Sequence, residues 1–92
     1  MRISLIVLLA VFSNSPSFAQ STEIDSLRNQ VNILTGTKKI DALSTLSLRL
    51  IVIDFSLASS PIEEALTLST KLGYLEGLAE ANVNKGILES VN

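Results

Sequence analysis

The sequence contains no cysteine and no histidine. The absence of cysteine excludes a disulfide framework, and without either residue a structural zinc site is not expected. Serines are abundant, but no histidine is present to activate one, and no Gly-x-Ser-x-Gly turn occurs. We therefore predict that the chain is not an enzyme, with no catalytic, cofactor-binding or metal-binding residues and no cofactor.

Basic residues are also scarce, since 7 Lys and Arg stand against 9 Asp and Glu, a formal net charge of −2. They form no basic patch, so no nucleic-acid partner is expected. The glycines are scattered rather than gathered in a phosphate-binding loop, and the acids lack the spacing of a calcium loop. The adjacent Glu63 and Glu64 lie about 100° apart on a helix, so they are interpreted as first-turn acids of a capped helix.

Residues 1–19 have the pattern of a cleavable signal peptide. Arg2 supplies a positive charge, residues 3–12 are an apolar run, and small residues precede a predicted cut between Ala19 and Gln20. A membrane-spanning helix needs about 20 apolar residues, which this run does not reach. We predict an exported protein, periplasmic or extracellular. An uncleaved anchor and a buried helix remain the alternatives.

The rest of the chain is predicted to be all-α, with a lead-in helix and turn over 20–37 and helical hairpins over 38–92. The first helix is predicted at 23–34, with Thr22 as its N-cap and Gly36 as its C-cap. The second is predicted at 38–57, with Thr37 as its cap. Apolar residues recur at three- and four-residue steps in both, which is typical of amphipathic helices.

The part of the second helix from Leu46 to Leu57 is apolar on most of its circumference. Such a helix is normally covered on more than one face, by neighbouring helices or by a second copy of the chain. The run 48–55, with the sequence LRLIVIDF, could also form a buried strand. Helix is the preferred interpretation because no partner strand occurs elsewhere after the leader.

The third helix has a clear predicted start and end. Ser60-Pro61-Ile62-Glu63 is a capping box with proline at the first helical position, and Gly73 is predicted to stop the helix. Its inner stripe is predicted to be Ile62, Ala65, Leu66, Ser69 and Leu72.

The fourth helix is predicted at 75–90 and contains Gly86. Glycine inside a helix costs about 1 kcal/mol relative to alanine. The usual compensation is close approach of a neighbouring helix, so Gly86, Ala79 and Ala81 are predicted to form a crowded face.

The segments of this second half resemble a tetratricopeptide repeat, a helical hairpin of about 34 residues. The resemblance rests on residues 60–66, 72–74, 77–79 and 82–86, and it implies one and a half repeats: a hairpin plus the first helix of the next. The stretch looks most like the variety found in the exported N-terminal region of bacterial sensor histidine kinases and nucleotide cyclases. Two departures are that Phe55 is displaced from the aromatic position of the first helix, and that the proline closing a repeat is absent.

The resemblance implies a non-catalytic protein-interaction or sensory module that binds a protein or peptide. Because about three hairpins are usually needed for stability, the chain is predicted to be the N-terminal fragment of an exported signalling protein. The polar cluster that most suggests a peptide-binding role consists of Asn82, Asn84 and Lys85. A solvated helix face is the simpler interpretation, and no site residue is assigned. The alternative is a small secreted helical protein that self-associates through Leu46 to Leu57. Membrane insertion is not expected for the chain that follows the leader, since the helices predicted there lack basic faces and aromatic anchors.

Overall fold

The computed structural model describes residues 16–92 of the protein, and in this part of the chain every regular element is helical. The predicted all-α class is therefore confirmed. The elements are α1 (Pro16–Ile33), α2 (Gly36–Asp54), a 3-10 turn (Phe55–Leu57), α3 (Ser59–Leu72) and α4 (Leu75–Val91).

Helix α1 begins at Pro16, well before the predicted start at residue 23. Proline fits a first helical turn because its missing N–H would have no partner there. Thr22 consequently lies inside the helix, and its predicted capping role is wrong. The predicted signal peptide falls mainly outside the described residues, although positions 16–19 belong to α1.

The predicted break between the first two helices is confirmed at Gly36, whose φ of 64° is left-handed. This glycine is nevertheless the first residue of α2, and Thr35, not Thr37, is the N-cap, in an extended conformation with no side-chain capping bond. A left-handed backbone conformation favours glycine because glycine lacks a Cβ atom. The chain therefore reverses here with almost no loop.

Helix α2 ends at Asp54 rather than at Leu57. The Asp54 carboxylate accepts hydrogen bonds from the Ser56 backbone N–H at 3.2 Å and from the Ser56 hydroxyl at 2.6 Å. This local bonding competes with the helical ladder and turns the chain into the 3-10 segment. The strand alternative for residues 48–55 is wrong, because the run is helical through Asp54.

The apolar 46–57 segment is only partly covered by neighbouring helices. Its buried members are Leu46, Leu50 and Ile51. Its exposed members are Leu48, Val52, Ile53, Phe55 and Leu57. The prediction that this segment is enclosed on more than one face therefore holds for three of its eight apolar side chains only.

The predicted capping box of α3 does not form. The helix starts one residue early, at Ser59, and its N-cap is Ala58, with φ −80° and ψ −23° and no side-chain capping bond. Because the 3-10 turn already delivers the chain in a helical conformation, the Ser60 hydroxyl is too late to cap it. Of the predicted inner stripe, Ile62, Ala65 and Ser69 are buried, Leu66 is partly buried and Leu72 is exposed.

The predicted stop of α3 at Gly73 is confirmed. Its φ is 66°, and two bonds close the helix: Tyr74 N–H to the Ser69 carbonyl at 2.9 Å, and Gly73 N–H to the Thr70 carbonyl at 3.3 Å. This pair is a Schellman motif. Helix α4 follows at Leu75, as predicted, and ends at Val91.

Helix α2 is the centre of the bundle and packs against α1, α3 and α4, while α3 also packs against α4. Arg49, late in α2, meets Glu23, in the first half of α1, with Nε and Oε2 3.1 Å apart, so these two helices are antiparallel. Tyr74 before α4 bonds to Asp41 early in α2, so α2 and α4 begin at the same end. The core consists mainly of aliphatic side chains from all four helices, among them Leu27, Ile40, Leu43, Ile62 and Ala81.

The close helix approach predicted at Gly86 is at Gly77 instead. A Cβ atom at Gly77 would lie 2.6 Å from Ile40 Cγ2, from Ser69 Oγ and from Tyr74 Cδ2, whereas one at Gly86 would have no such neighbour within 4 Å. Of the alanines predicted to share the crowded face, Ala81 is buried and Ala79 is exposed. The prediction for Gly86 and Ala79 is therefore wrong.

Candidate functional site

The candidate site is a shallow groove between α2 and α4. The two helices are held together at their start, where Tyr74 Oη donates to Asp41 Oδ1 at 2.8 Å and the Gly77 backbone lies against Ile40. Further along, they enclose a volume of about 380 Å³. Seven residues line it, and together they define the α2–α4 groove: Ser44, Thr45 and Leu48 of α2, and Ala79, Glu80, Val83 and Asn84 of α4.

Two buried polar residues of the groove link its helices. Asn84 Nδ2 donates to the Ser44 carbonyl at 3.2 Å, and both residues are more than nine-tenths buried. The Ser44 hydroxyl oxygen is itself buried and makes no hydrogen bond within the described protein. A buried polar atom without a partner is uncommon and needs an explanation.

The two larger apolar side chains of the groove are left open to solvent. Leu48 is 42% exposed and Val83 is 60% exposed, and they come from opposite helices. Aliphatic side chains facing each other across an open groove can receive apolar groups of another molecule.

Carboxylates surround the end of the groove at which α4 begins. Asp41 accepts the Tyr74 hydroxyl, while Glu76 and Glu80 are four residues apart and so lie on one face of α4. The hydrogen bond to Asp41, assisted by lesser contributions from partial desolvation and the negative charges of Asp41, Glu76 and Glu80, raises the pKa of Tyr74 to about 12. The end of the groove is therefore electronegative.

Asn82, Asn84 and Lys85 do not converge on one site. Asn84 is directed to α2, whereas Lys85 forms an ion pair across to Glu63 of α3, with Nζ and Oε2 3.4 Å apart. Asn82 is exposed. Only Asn84 of this cluster lines the groove, and its amide nitrogen is used in a bond between helices.

Glu63 and Glu64 lie beyond the first turn of α3, so their interpretation as first-turn acids is wrong. Each joins α3 to a different helix: Glu63 pairs with Lys85 of α4, and Glu64 pairs with Lys39 of α2 at 3.6 Å. Partly exposed pairs of this kind contribute up to about 1 kcal/mol each. Their divergent directions keep them apart, so they do not form a pair of cooperating carboxylates.

A second cleft, of about 370 Å³, lies where α1 and the start of α3 meet α2. Its charged lining residues are Arg28 and Glu64, which have opposite signs.

The described residues hold no group of three or more acidic side chains that could bind a metal ion. None of the helices between residues 16 and 92 combines the length and hydropathy required to cross a bilayer.

Sequence reasoning did not single out Leu48, Glu80 or Val83 as groove residues. The four-residue spacings of Glu76 with Glu80 and of Ala79 with Val83 indicate shared faces of α4, but they do not indicate which face lies beside α2. Comparison of the chain with protein-family models, with curated proteins and with solved structures gave no match. The site is therefore defined by its own geometry.

Proposed function

We propose that this chain is a non-catalytic protein-interaction module of helical repeats, which binds a protein or peptide segment in the α2–α4 groove. The observation that carries the proposal is the exposure of Leu48 and Val83 on opposite sides of that groove. An apolar surface between two ordered helices is the kind of surface that partner segments cover.

The order of the helices supports this assignment. Helices α2 and α4 begin at the same end and α3 packs against both, which is the arrangement that stacked helical hairpins share. Together with the resemblance of residues 60–86 to a tetratricopeptide repeat, it favours a module of that family in an exported bacterial signalling protein. Coupling to a downstream signalling domain is part of the proposal.

Export is proposed from the leader pattern of residues 1–19, which would place the module in the periplasm or outside the cell. N-terminal sequencing of the protein purified from its source tests this directly. We expect the exported form to begin at or near Gln20, and a form beginning at Met1 would refute cleavage.

The interaction itself is tested by a photo-crosslinking amino acid placed at Val83 of the chain in its source cells. Illumination should yield an adduct with a different protein, identified by mass spectrometry of both crosslinked peptides. The matched control is the same amino acid at Glu89, an exposed position of α4 that does not line the groove. Equal adducts at the two positions, or none at Val83, would contradict a docking role for the groove.

Self-association is the second candidate function, favoured by the exposure of Val52, Ile53, Phe55 and Leu57 beyond the groove. Under this hypothesis, Val52→Asp should convert a dimer to a monomer in analytical ultracentrifugation. Leu50→Asp is not an adequate test, because Leu50 is buried and a charge there would unfold the protein. An unchanged sedimentation coefficient for Val52→Asp would count against self-association through this surface.

A further inference from the structure

We infer that the α2–α4 groove selects a partner segment that combines aliphatic with basic side chains, such as one turn or more of a Lys- or Arg-bearing amphipathic helix. The inference rests on the proposed function and adds the chemical class of the partner. Two features of the groove carry it: its apolar sides and the carboxylates in and beside it.

The apolar sides account for the aliphatic part of the partner. Leu48 and Val83 lie on opposite sides of the groove, and both keep a large part of their surface open to solvent. Covering them would remove apolar surface from water, which is favourable. A purely polar or purely charged segment would leave this apolar surface exposed to solvent.

The acids account for the basic part. Glu80 lines the groove, Glu76 lies one helical turn before it, and Asp41 faces them from α2 through its bond to Tyr74. Tyr74 has the carboxylates of Asp41, Glu76 and Glu80 as its charged neighbours, each of which raises its pKa.

Basic residues of the described chain that form ion pairs do so away from this groove. Lys39 pairs with Glu64, Arg49 with Glu23 and Lys85 with Glu63. The residues that line the groove include one acid and no base. Glu80 therefore has no basic partner in the lining of the groove, while Lys38 lies beside Asp41 in a neighbouring cleft. A basic ligand can pair with Glu80, whereas a like-charged acidic segment would be repelled.

The test uses two fluorescein-labelled peptides of about 14 residues, each with leucines at helical spacing. All remaining positions are lysine in one peptide and glutamate in the other. Binding to the full 92-residue chain is followed by fluorescence anisotropy. We expect saturable binding of the Leu/Lys peptide, weakened at least roughly fivefold when salt is raised from about 50 to about 200 mM, and no saturable binding of the Leu/Glu peptide.

Two double variants locate the binding. Glu76→Gln with Glu80→Gln removes two negative charges at the groove, and Asp25→Asn with Glu89→Gln removes two exposed charges away from it. The first should weaken the Leu/Lys peptide roughly fivefold, and the second by less than about twofold. Circular dichroism melts of both variants establish that they fold like the parent chain.

Equal losses in the two double variants would show only general attraction to an acidic protein and would overturn the inference. Saturable binding of the Leu/Glu peptide that Val83→Asn abolishes would also overturn it, while leaving the groove as a docking site. If neither peptide binds, the proposed partner class is wrong, and the crosslink at Val83 then tests the proposed function separately. The comparison of the two peptides on the unaltered chain remains decisive even if a variant fails to fold.

Discussion

The two halves of the second predicted helix, residues 38–47 and 48–57, differ in their surroundings: the first is α-helical throughout, and the second is α-helical to Asp54 and then forms the 3-10 turn. In the first half every large apolar side chain is buried, and the exposed residues are polar. In the second half only Leu50 and Ile51 are buried among the large apolar side chains, while five others are exposed. The first half is an ordinary core helix. The second half, which includes the end of α2 and the 3-10 turn, carries more apolar surface than its neighbours cover, so it is available for contacts with another molecule.

The largest predicted effect separates these halves by matched substitutions. Leu43→Ala removes a side chain that is 1% exposed, and we expect it to lower the free energy of unfolding by roughly 2 to 5 kcal/mol. Val52→Ala truncates a side chain that is 72% exposed, and its effect should stay within about 0.5 kcal/mol. Urea denaturation followed by circular dichroism measures both. Similar losses for the two variants would mean that Val52 is also covered in solution.

Helix α4 allows the same comparison with glycines. Gly77→Ala would place a methyl group against Ile40, Ser69 and Tyr74; the overpacking, about 1 to 3 kcal/mol, should exceed the gain in helix propensity. Gly86→Ala meets no neighbour outside its own helix, so it should stabilise by about 0.5 to 1 kcal/mol. Thermal melts should therefore shift in opposite directions. A higher melting temperature for Gly77→Ala than for Gly86→Ala would contradict the packing described here.

A smaller effect is expected at the bond that spans the groove. Asn84→Ala removes the hydrogen bond to the Ser44 carbonyl and should cost about 0.5 to 1.5 kcal/mol. Asn82→Ala, two residues earlier and exposed, is the control and should change stability by less than about 0.5 kcal/mol. If the two variants unfold at the same urea concentration, the Asn84 bond does not stabilise the bundle.

The smallest effect concerns Tyr74, and it is best measured by ultraviolet absorbance during a pH titration. Its pKa is raised to about 12 from an ordinary value of about 10, so the folded state favours the neutral phenol. The associated stabilisation is fully present below about pH 10 and is lost as pH rises towards 12. Asp41→Asn should move the absorbance midpoint back towards 10. A midpoint unchanged by this substitution would exclude Asp41 as the main cause.

Local signals in the sequence predicted much of this fold. Gly36 and Gly73 mark the helix junctions because left-handed backbone favours glycine. The spacing of apolar residues in the second predicted helix puts six of them on one side, of which the first four are buried and the last two are exposed: Ile40, Leu43, Leu46, Leu50, Ile53 and Leu57. The capping box of α3 failed because the Asp54–Ser56 bonds and the 3-10 turn start the helix earlier. Such competition between neighbouring motifs is decided by geometry, which the motif alone does not specify.

The α2–α4 groove and the close packing at Gly77 could not be predicted from the spacing of residues in the sequence. Periodicity shows that Gly77 and Gly86 belong to one helix, but their neighbours depend on where α2 and α3 cross it. Likewise, the exposure of Leu48 and Val83 follows from the relative rotation of two helices. These contacts join residues more than 30 positions apart in the chain, so they depend on tertiary packing.

Helix α1 packs mainly against α2, and its side-chain bond to that helix, Glu23 with Arg49, is exposed. Exposed pairs contribute little, and α1 packs mainly against one helix whereas α2, α3 and α4 each pack against at least two. We therefore expect α1 to open as a local unit before the rest of the bundle does. Its amide hydrogens should then exchange with deuterium faster than those of α3, and proteases should cleave there first. Such an opening would uncover Ala42 and Leu46, which line clefts beside α1, while the α2–α4 groove on another side of α2 stays intact.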